Sequence, residues 1–125
     1  MNSHTPTVLI VDDSSTNNIL LQSALSVNKL NVEIATSGED ALEILKRKNI
    51  NTVVLDVMMP GMSGFEVLKI IKETPKIAQI PVVIVTGESI GGEREKAEEL
   101  GASAFFAKPI ALKTLVTKII ELAVV

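Results

Sequence analysis

The sequence predicts one α/β domain built on a doubly wound, five-stranded parallel sheet with the pattern (βα)5. Three observations lead to this fold class. Short β-branched runs alternate with stretches of helical period, and three of the five runs are almost wholly apolar, as is typical of parallel strands covered on both faces. The chain has 125 residues, the usual size of a single domain. We therefore expect right-handed crossovers that place helices on both faces of the sheet.

The five predicted strands are rich in valine, isoleucine and phenylalanine, residues that favour strands. They are TVLIV (7–11), NVEIA (31–35), TVVLD (52–56), PVVIV (81–85) and SAFFA (103–107).

Four of the five predicted helices carry apolar side chains at helical spacing, which we expect to face the core. The second begins at 37–40, where a serine and two acids favour a helix start, and the third ends before Pro75. The apolar positions are Ile19, Leu20, Leu21, Ala24 and Leu25 in the first, Ala41, Leu42, Ile44 and Leu45 in the second, Phe65, Val67, Leu68, Ile70 and Ile71 in the third, and Leu112, Leu115, Val116, Ile119, Ile120 and Ala123 in the fifth.

The fourth predicted helix, SIGGEREKAEEL (89–100), offers only Ile90, Ala97 and Leu100 to a core. Its two glycines each cost about 1 kcal/mol relative to alanine in a helix. We expect this segment to be among the least stable in the molecule.

Composition excludes several classes of function. The net charge of −3 argues against a general nucleic-acid binder. The chain has no cysteine, and His4 is its only histidine, so disulfides, thiolate chemistry, a Ser-His-Asp triad and a histidine-rich zinc site are not expected. No apolar run reaches the ~20 residues of a membrane span, and the amino terminus lacks a signal-peptide core. We expect a cytoplasmic domain over 7–125, preceded by a disordered leader or tag remnant over 1–6.

Chemically capable side chains follow four of the predicted strands. Asp12 and Asp13 follow the first strand, Asp56 ends the third, Thr86 follows the fourth and Lys108 follows the fifth. In a doubly wound sheet, ligands bind outside the carboxyl ends of the strands. The fold therefore brings three carboxylates, a hydroxyl and an ammonium group to one edge.

Carboxylates gathered in this way favour a cation. Two of them about 4 Å apart repel by about 4 kcal/mol at an effective dielectric constant of 20. A site of oxygen ligands suits a hard divalent ion, Mg²⁺ above all. Asp56 would then be placed to attack a phosphoryl group, while Lys108 and Thr86 neutralise or bind its other oxygens.

Each of these residues also has an ordinary structural reading when taken alone. Asp12 and Asp13 could cap the first helix, Asp56 could belong to a turn, Thr86 could cap the fourth helix, and Lys108 could be a surface lysine. Their occurrence after four different strands is what favours a shared site.

The chain resembles the receiver domain of two-component response regulators from about Thr7 to its end. Four stretches carry the resemblance: VLIVDDS, VLDVMMPGMSGFEVL, VIVTGE and FFAKPI. The resemblance implies a flavodoxin-like sheet with strand order 2-1-3-4-5. It also implies a phosphorelay signalling switch rather than an enzyme.

The resemblance further implies roles for individual residues. Asp56 would accept a phosphoryl group from a histidine kinase or a histidine phosphotransfer protein. Asp12, Asp13, Asp56 and the backbone carbonyl of Met58 would bind Mg²⁺. Pro60 and Gly61 would shape the loop after Asp56, and a cis peptide before Pro109 would aim Lys108 into the site.

The implied switch links the site to a surface. Thr86 would move towards the phosphoryl group and Phe105 would turn inward behind it, changing the face made by helix 4, strand 5 and helix 5. An output domain or protein, which the sequence does not identify, would read that face. A homodimer could also form through it, and no direct contact with nucleic acid or membrane is expected.

Two positions depart from frequent family patterns. Phe105 lacks the hydroxyl of the common tyrosine, so it could act through packing or belong simply to the core. Met58 replaces a polar side chain found in some members and cannot orient an attacking water, a role that Glu88 could take.

Three other functions stay open at this point. A phosphatase or kinase-like enzyme lacks support from a glycine-rich phosphate loop and from a second acid two residues after Asp56. A flavin-binding module lacks flanking aromatic residues. A receiver-like scaffold that is never phosphorylated would not need the full acidic set.

Overall fold

The computed structural model describes residues 5–87, 92–108 and 111–123. Within these ranges the chain forms five strands and five helices that alternate strictly, which confirms the predicted (βα)5 pattern. The elements are β1 (Thr7–Val11), α1 (Ser15–Val27), β2 (Asn31–Ala35), α2 (Gly38–Arg47), β3 (Thr52–Asp56), α3 (Gly64–Glu73), β4 (Val82–Thr86), α4 (Glu93–Glu99), β5 (Ala104–Ala107) and α5 (Leu112–Ala123).

The five strands form one parallel sheet in the order β2-β1-β3-β4-β5, as predicted. The chain order reverses direction across β1 and β3, so the topological switch point lies between these two strands. Asp56 pairs with Val85 on β4, and Thr86 pairs with Ala107 on β5. The register therefore places the ends of β3, β4 and β5 along one edge.

Alternate strand residues feed two separate apolar clusters, one on each face of the sheet. Leu9, Leu55 and Ile84 belong to the cluster under α2, α3 and α4. Val8, Val54 and Val83 belong to the cluster under α1 and α5. Because both faces are covered, strands β3 and β4 are buried along their whole length, which explains their continuous apolar sequence.

The buried stripe of α1 differs from the prediction. Leu21 and Leu25 are buried as expected, but Ile19 is 60% exposed and Leu20 is 57% exposed. The third buried position of the helix is Asn18, which precedes Leu21 by three residues and lies on the same face. The apolar character of residues 19 and 20 made the predicted core face too wide.

Leu112 and Ile70 are smaller corrections of the same kind. Leu112 begins α5 and is largely exposed, and Ile70 lies at the boundary between the α3 core face and solvent. The other predicted apolar positions of α2, α3 and α5 are buried or packed against the two clusters.

Helix α4 is shorter than the predicted segment 89–100. It begins at Glu93 after Gly92, which has a positive φ of 87° and supplies no side-chain cap. Ala97 is its one fully buried residue and Leu100 is packed against the core, while Ile90 lies outside the described residues. Apolar anchoring of this helix is therefore as sparse as the sequence indicated.

None of the helices in the described ranges combines the length and the apolar character that crossing a membrane requires.

Candidate functional site

Three carboxylates from two strand ends meet at the carboxyl edge of the sheet. One oxygen from each of Asp12, Asp13 and Asp56 lies within 4.8 Å of the other two. Asp12 and Asp13 follow β1 directly, and Asp56 is the last residue of the adjacent β3. The structure thus brings together all three acids that the sequence singled out.

Asp12 is held at each of its polar groups. Its amide donates to the carbonyl oxygen of Ala35 at 3.1 Å, and its carbonyl oxygen accepts from Asn18 Nδ2 at 2.9 Å. The carboxylate oxygen Oδ1 accepts from the Ser14 amide at 2.9 Å, and Oδ2 accepts from Asn17 Nδ2 at 3.4 Å. This acid is therefore fixed by its own strand end and by the first turn of α1.

Asp56 is buried, with 7% of its surface exposed, and Asp12 beside it is 8% exposed. Burial and the nearby negative charge of Asp12 raise the pKa of Asp56 to about 6, against a smaller lowering by the Met58 amide and Lys108. The Met58 amide donates to Asp56 Oδ1 at 3.3 Å. Among the described residues, no donor reaches the second oxygen, Oδ2.

Lys108 shares a cavity with the acids. A cavity of about 390 Å³ opens between α1 and α5, and its rim includes Asp12, Asp56, Asn17 and Lys108. The Lys108 ammonium is near enough to lower the pKa of Asp56. The rest of the lining is apolar: Ile10, Val11, Leu20, Leu21, Val54, Val85, Leu112 and Leu115.

Thr86 lies at the end of β4 and is almost fully buried. Its carbonyl oxygen accepts from the Lys108 amide at 2.8 Å, so the main chains that carry the predicted hydroxyl and ammonium groups are joined. Of the described residues around the cavity, Lys108 belongs to its lining and Thr86 does not. The sequence placed Thr86 after the fourth strand, whereas the structure makes it the last residue of that strand.

Phe105 lies inside the molecule. It is 8% exposed, pairs with Ile84 in the sheet and belongs to the core on the α4 face. The Arg94 guanidinium of α4 lies over its ring, 4.9 Å from the centroid. A cation within about 6 Å of a ring face is attracted to it, so this contact fastens α4 to β5.

The loop after Asp56 packs directly against the main chain of the site. The Gly64 amide donates to the Val57 carbonyl oxygen at 3.1 Å. A Cβ atom on Gly64 would collide with the carbonyl oxygen of Asp56 and lie 2.8 Å from Val57 Cα. Pro60 is in the same loop, and Gly61 has a positive φ of 76° that suits glycine.

Two residues from the sequence-based expectations, Pro109 and Glu88, lie outside the described residues. Three residues that the sequence reasoning missed contact the site or its neighbours: Asn17, Asn18 and Arg94. Asn18 could have been found from its position three residues before Leu21, where an apolar residue is expected on the buried face. Arg94 gave no comparable signal, because its contact with Phe105 depends on the tertiary packing of α4.

The donor set has a definite chemical preference. Three carboxylates whose oxygens lie within 4.8 Å of one another, with no cysteine or histidine among the described residues, suit a hard divalent cation such as Mg²⁺. Burial, and after it the negative charge of Asp12, raises the pKa of Asp56, and a cation bound at this edge would favour the ionised carboxylate.

Comparison with known proteins identifies the family and several relatives that this chain resembles. A family model described as "Response regulator receiver domain" matches residues 8–120. A probable cyclic di-GMP phosphodiesterase of Vibrio cholerae is 39% identical over 113 residues, which cover 90% of this chain and 25% of that protein. Two-component response regulator ORR11 of Oryza sativa is 38% identical over 106 residues, covering 84% of this chain and 72% of that protein.

Solved structures of similar chains share the fold. The chemotaxis protein CheY4 of Vibrio cholerae matches with a TM-score of 0.88 and 26% identity, covering 95% of this chain and 99% of that chain. A putative response regulator from Chloroflexus aurantiacus matches with a TM-score of 0.89 and 28% identity, covering 96% and 98% of the two chains.

Proposed function

The chain belongs to the response regulator receiver domain family, and from this membership we propose that it is a phosphorelay receiver that accepts a phosphoryl group on Asp56. The observation that carries the proposal is the meeting of Asp12, Asp13 and Asp56, whose carboxylate oxygens lie within 4.8 Å of one another. Lys108 lines the same cavity as Asp12 and Asp56.

Mg²⁺ is the proposed cofactor, and the residues present fit it. Asp12, Asp13 and Asp56 would hold the ion, together with the backbone carbonyl of Met58. When bound, the ion would neutralise charge on the acids and on the phosphoryl oxygens. The set of three carboxylates, whose oxygens lie within 4.8 Å of one another, supports this assignment.

Asp56 would be the nucleophile. A pKa of about 6 leaves its carboxylate largely ionised near neutral pH. Because Oδ1 accepts from the Met58 amide, Oδ2 is the oxygen that we assign to attack. It would form a bond to the phosphorus of a phosphohistidine while the P–N bond breaks, and the departing imidazole would take up a proton.

Lys108 and Thr86 would bind the other phosphoryl oxygens. Lys108 lines the same cavity as Asp56, and its ammonium group would balance the added negative charge. Thr86 stands one residue beyond the register partner of Asp56 on β4, so a short displacement would bring its hydroxyl towards the phosphoryl group. A cis peptide before Pro109 stays a prediction.

The proposed output is a change in the face made by α4, β5 and α5. Phosphorylation adds about −1.5 to −2 charges at neutral pH. Thr86 and Phe105 would transmit that change, because Phe105 pairs with Ile84 on the strand that ends at Thr86. A coupling free energy of about 1–3 kcal/mol is typical of such transitions. Among the described residues of α4, only Ala97 is fully buried, so this helix is weakly anchored.

The proposed partners follow from the same membership. A histidine kinase or histidine phosphotransfer protein would supply the phosphoryl group, and an unidentified output domain or protein would read the α4–β5–α5 face, where a homodimer could also form. The proposed role is that of a cytoplasmic signalling switch rather than an enzyme that turns over an external substrate.

Incubation with acetyl phosphate and Mg²⁺ tests the proposal directly. We expect intact-mass spectrometry to show one added phosphoryl group, and peptide mapping to locate it at Asp56. The beryllofluoride mimic of the phosphoryl group should shift backbone amide signals of Thr86, Phe105 and α4 in the same protein.

Asp56→Asn is the matched control, since it keeps the shape of the side chain and removes the nucleophile. It should fold and take up no phosphoryl group. Wild-type protein that gains no mass, or whose spectrum is unchanged by saturating beryllofluoride and Mg²⁺, would contradict the proposed function.

A further inference from the structure

Asn18 is a buried polar residue in the apolar stripe of α1. It is 3% exposed and shares the inward face of the helix with Leu21 and Leu25. Residues in this face are normally apolar, because an amide removed from water must find partners for all its polar atoms. Asn18 is thus an exception that packing alone does not account for.

Only one end of the Asn18 amide is satisfied. Nδ2 donates to the carbonyl oxygen of Asp12 at 2.9 Å, whereas Oδ1 is buried and has no hydrogen-bond partner. The orientation is determined by chemistry, since a carbonyl oxygen can only accept and must therefore face the amide nitrogen. A buried acceptor without a donor lowers stability.

The contact that Asn18 does make acts on the acid pair. The carbonyl that it holds belongs to the peptide joining Asp12 to Asp13. A peptide unit is planar. A hydrogen bond that fixes this carbonyl therefore also fixes the orientation of the peptide group between the two aspartates. The other end of Asp12 is tied to β2 through Ala35. On the Asp13 side the Ser14 amide holds the Asp12 carboxylate, whereas Asn18 holds the carbonyl of the connecting peptide.

We propose that Asn18 is a positioning residue that preorganises Asp12 and Asp13 to bind a divalent cation, at a cost in stability. This inference rests on the proposed function, because it assumes that the acidic cluster binds Mg²⁺. Asn18 contacts neither the ion nor the phosphoryl group. Partners of metal ligands commonly affect metal affinity by 10-fold to 100-fold.

Asn18→Leu separates this role from a structural one. Leucine has a similar size and removes the buried acceptor, while it leaves the Asp12 carbonyl without its donor. The two changes offset each other, and the added apolar contact favours folding. We expect the free energy of unfolding in metal-free buffer to equal or exceed that of the wild type, and the Kd for Mg²⁺ to rise about tenfold.

Thr52→Val is the matched control. Thr52 Oγ1 is also buried without a partner, but Thr52 begins β3, whereas Asp56 ends it. This variant should gain stability in metal-free buffer and bind Mg²⁺ with the affinity of the wild type. Mg²⁺ binding is measured by calorimetry and by the shift of backbone amide signals near Asp13, and unfolding is measured with urea.

The possible outcomes distinguish failure of the proposed function from failure of the inference about Asn18. Wild-type protein that does not bind Mg²⁺ overturns the proposed function and this inference with it. A wild type that binds Mg²⁺, with Asn18→Leu equally tight, overturns only the inference.

If Asn18→Leu does not fold, or loses affinity together with much of its stability in metal-free buffer, truncation on the same helix face decides. Asn18→Ala and Leu21→Ala should both lower stability, but only Asn18→Ala should weaken Mg²⁺ binding. Equal Mg²⁺ affinities in the two variants would contradict the inference.

Discussion

The carboxyl group of Asp56 illustrates how single residues balance stability against reactivity. Burial and the neighbouring Asp12 raise its pKa from 3.8 to about 6. The folded state therefore favours the neutral form, while the proposed chemistry requires the ionised one. Stability contributed by the neutral form is complete below the unfolded pKa and is lost as the pH rises from about 4 to above 6.

Asp56→Asn should consequently be more stable than the wild type in metal-free buffer near neutral pH. Asparagine imitates the neutral carboxyl group, so the gain should approach about 3 kcal/mol at pH ~8 and vanish near pH ~4. Urea unfolding at several pH values measures the difference between the two proteins.

Asp40→Asn provides a comparison of the same chemical change. Asp40 lies in the first turn of α2, where a negative charge is favourable, so its loss should lower stability slightly at pH ~8. A stability difference between Asp56→Asn and the wild type that does not vary with pH would contradict the cause assigned to the raised pKa.

Among the elements, α4 is held in an unusual way. Its two cations lie over phenylalanine rings of neighbouring elements: Arg94 over Phe105 of β5, and Lys96 over Phe65 of α3, at 4.9 and 4.8 Å from the ring centroids. In α2, α3 and α5 several buried side chains anchor the helix to the core, whereas α4 is anchored by one buried alanine and these two contacts.

Arg94→Gln should loosen α4 without disrupting the sheet. We expect the free energy of unfolding to fall by about 0.5–1 kcal/mol, the usual size of an exposed cation–π contact. Amide hydrogen exchange should quicken over Glu93–Glu99. Arg94→Lys, which keeps the cation, should have a smaller effect, and unchanged exchange in Arg94→Gln would show that the contact does not hold the helix.

The elements also show which parts of the fold the sequence predicts well. Strands β3 and β4 are continuous apolar runs, because both faces are covered, and their bounds are predicted to within one residue. Helix α1 is harder, since Ile19 and Leu20 are apolar but exposed, and the buried position belongs to Asn18. Local periodicity places residue 18 on the buried face, but it does not reveal the hydrogen bond to the Asp12 backbone that an asparagine makes there.

The residues of the candidate site likewise divide into those that the sequence predicts and those that it does not. Asp12, Asp13, Asp56 and Lys108 are predictable because parallel strands bring their carboxyl ends to one edge. The restraints on Asp12 from Asn17 and Asn18, and the contact of Arg94 with Phe105, depend on how helices pack. Such contacts have no spacing rule that a sequence can display.

Across the whole molecule, the candidate site and the hydrogen bonds of a half-buried lysine lie at opposite ends of the sheet. The acids gather at the carboxyl ends of the strands. Beyond the other end, the half-buried Lys72 donates to the carbonyl oxygens of Ala78 and Ile80 at 2.9 and 3.0 Å, and burial lowers its pKa. An ion bound at one end should therefore stabilise the domain without altering the contacts at the other.

Mg²⁺ should raise the melting temperature of the wild type. At a concentration ten times its Kd, an ion that binds only the folded state adds about 1.4 kcal/mol, which corresponds to about 5 °C for a domain of this size. Calorimetry in Mg²⁺ and in a chelator measures the shift. Asp13→Asn removes one exposed ligand and should lose most of it, so an equal shift in both proteins would place the ion elsewhere.

The absence of a side chain at Gly64 has a consequence for genetics and protein engineering. The start of α3 touches the peptide that carries Asp56 so closely that even a methyl group would displace it. Substitution at this codon is therefore expected to abolish the proposed phosphorylation while every acidic residue remains intact. A screen that looks for inactive alleles should recover position 64 as well as Asp56, and a designer who diversifies this loop should leave Gly64 unchanged.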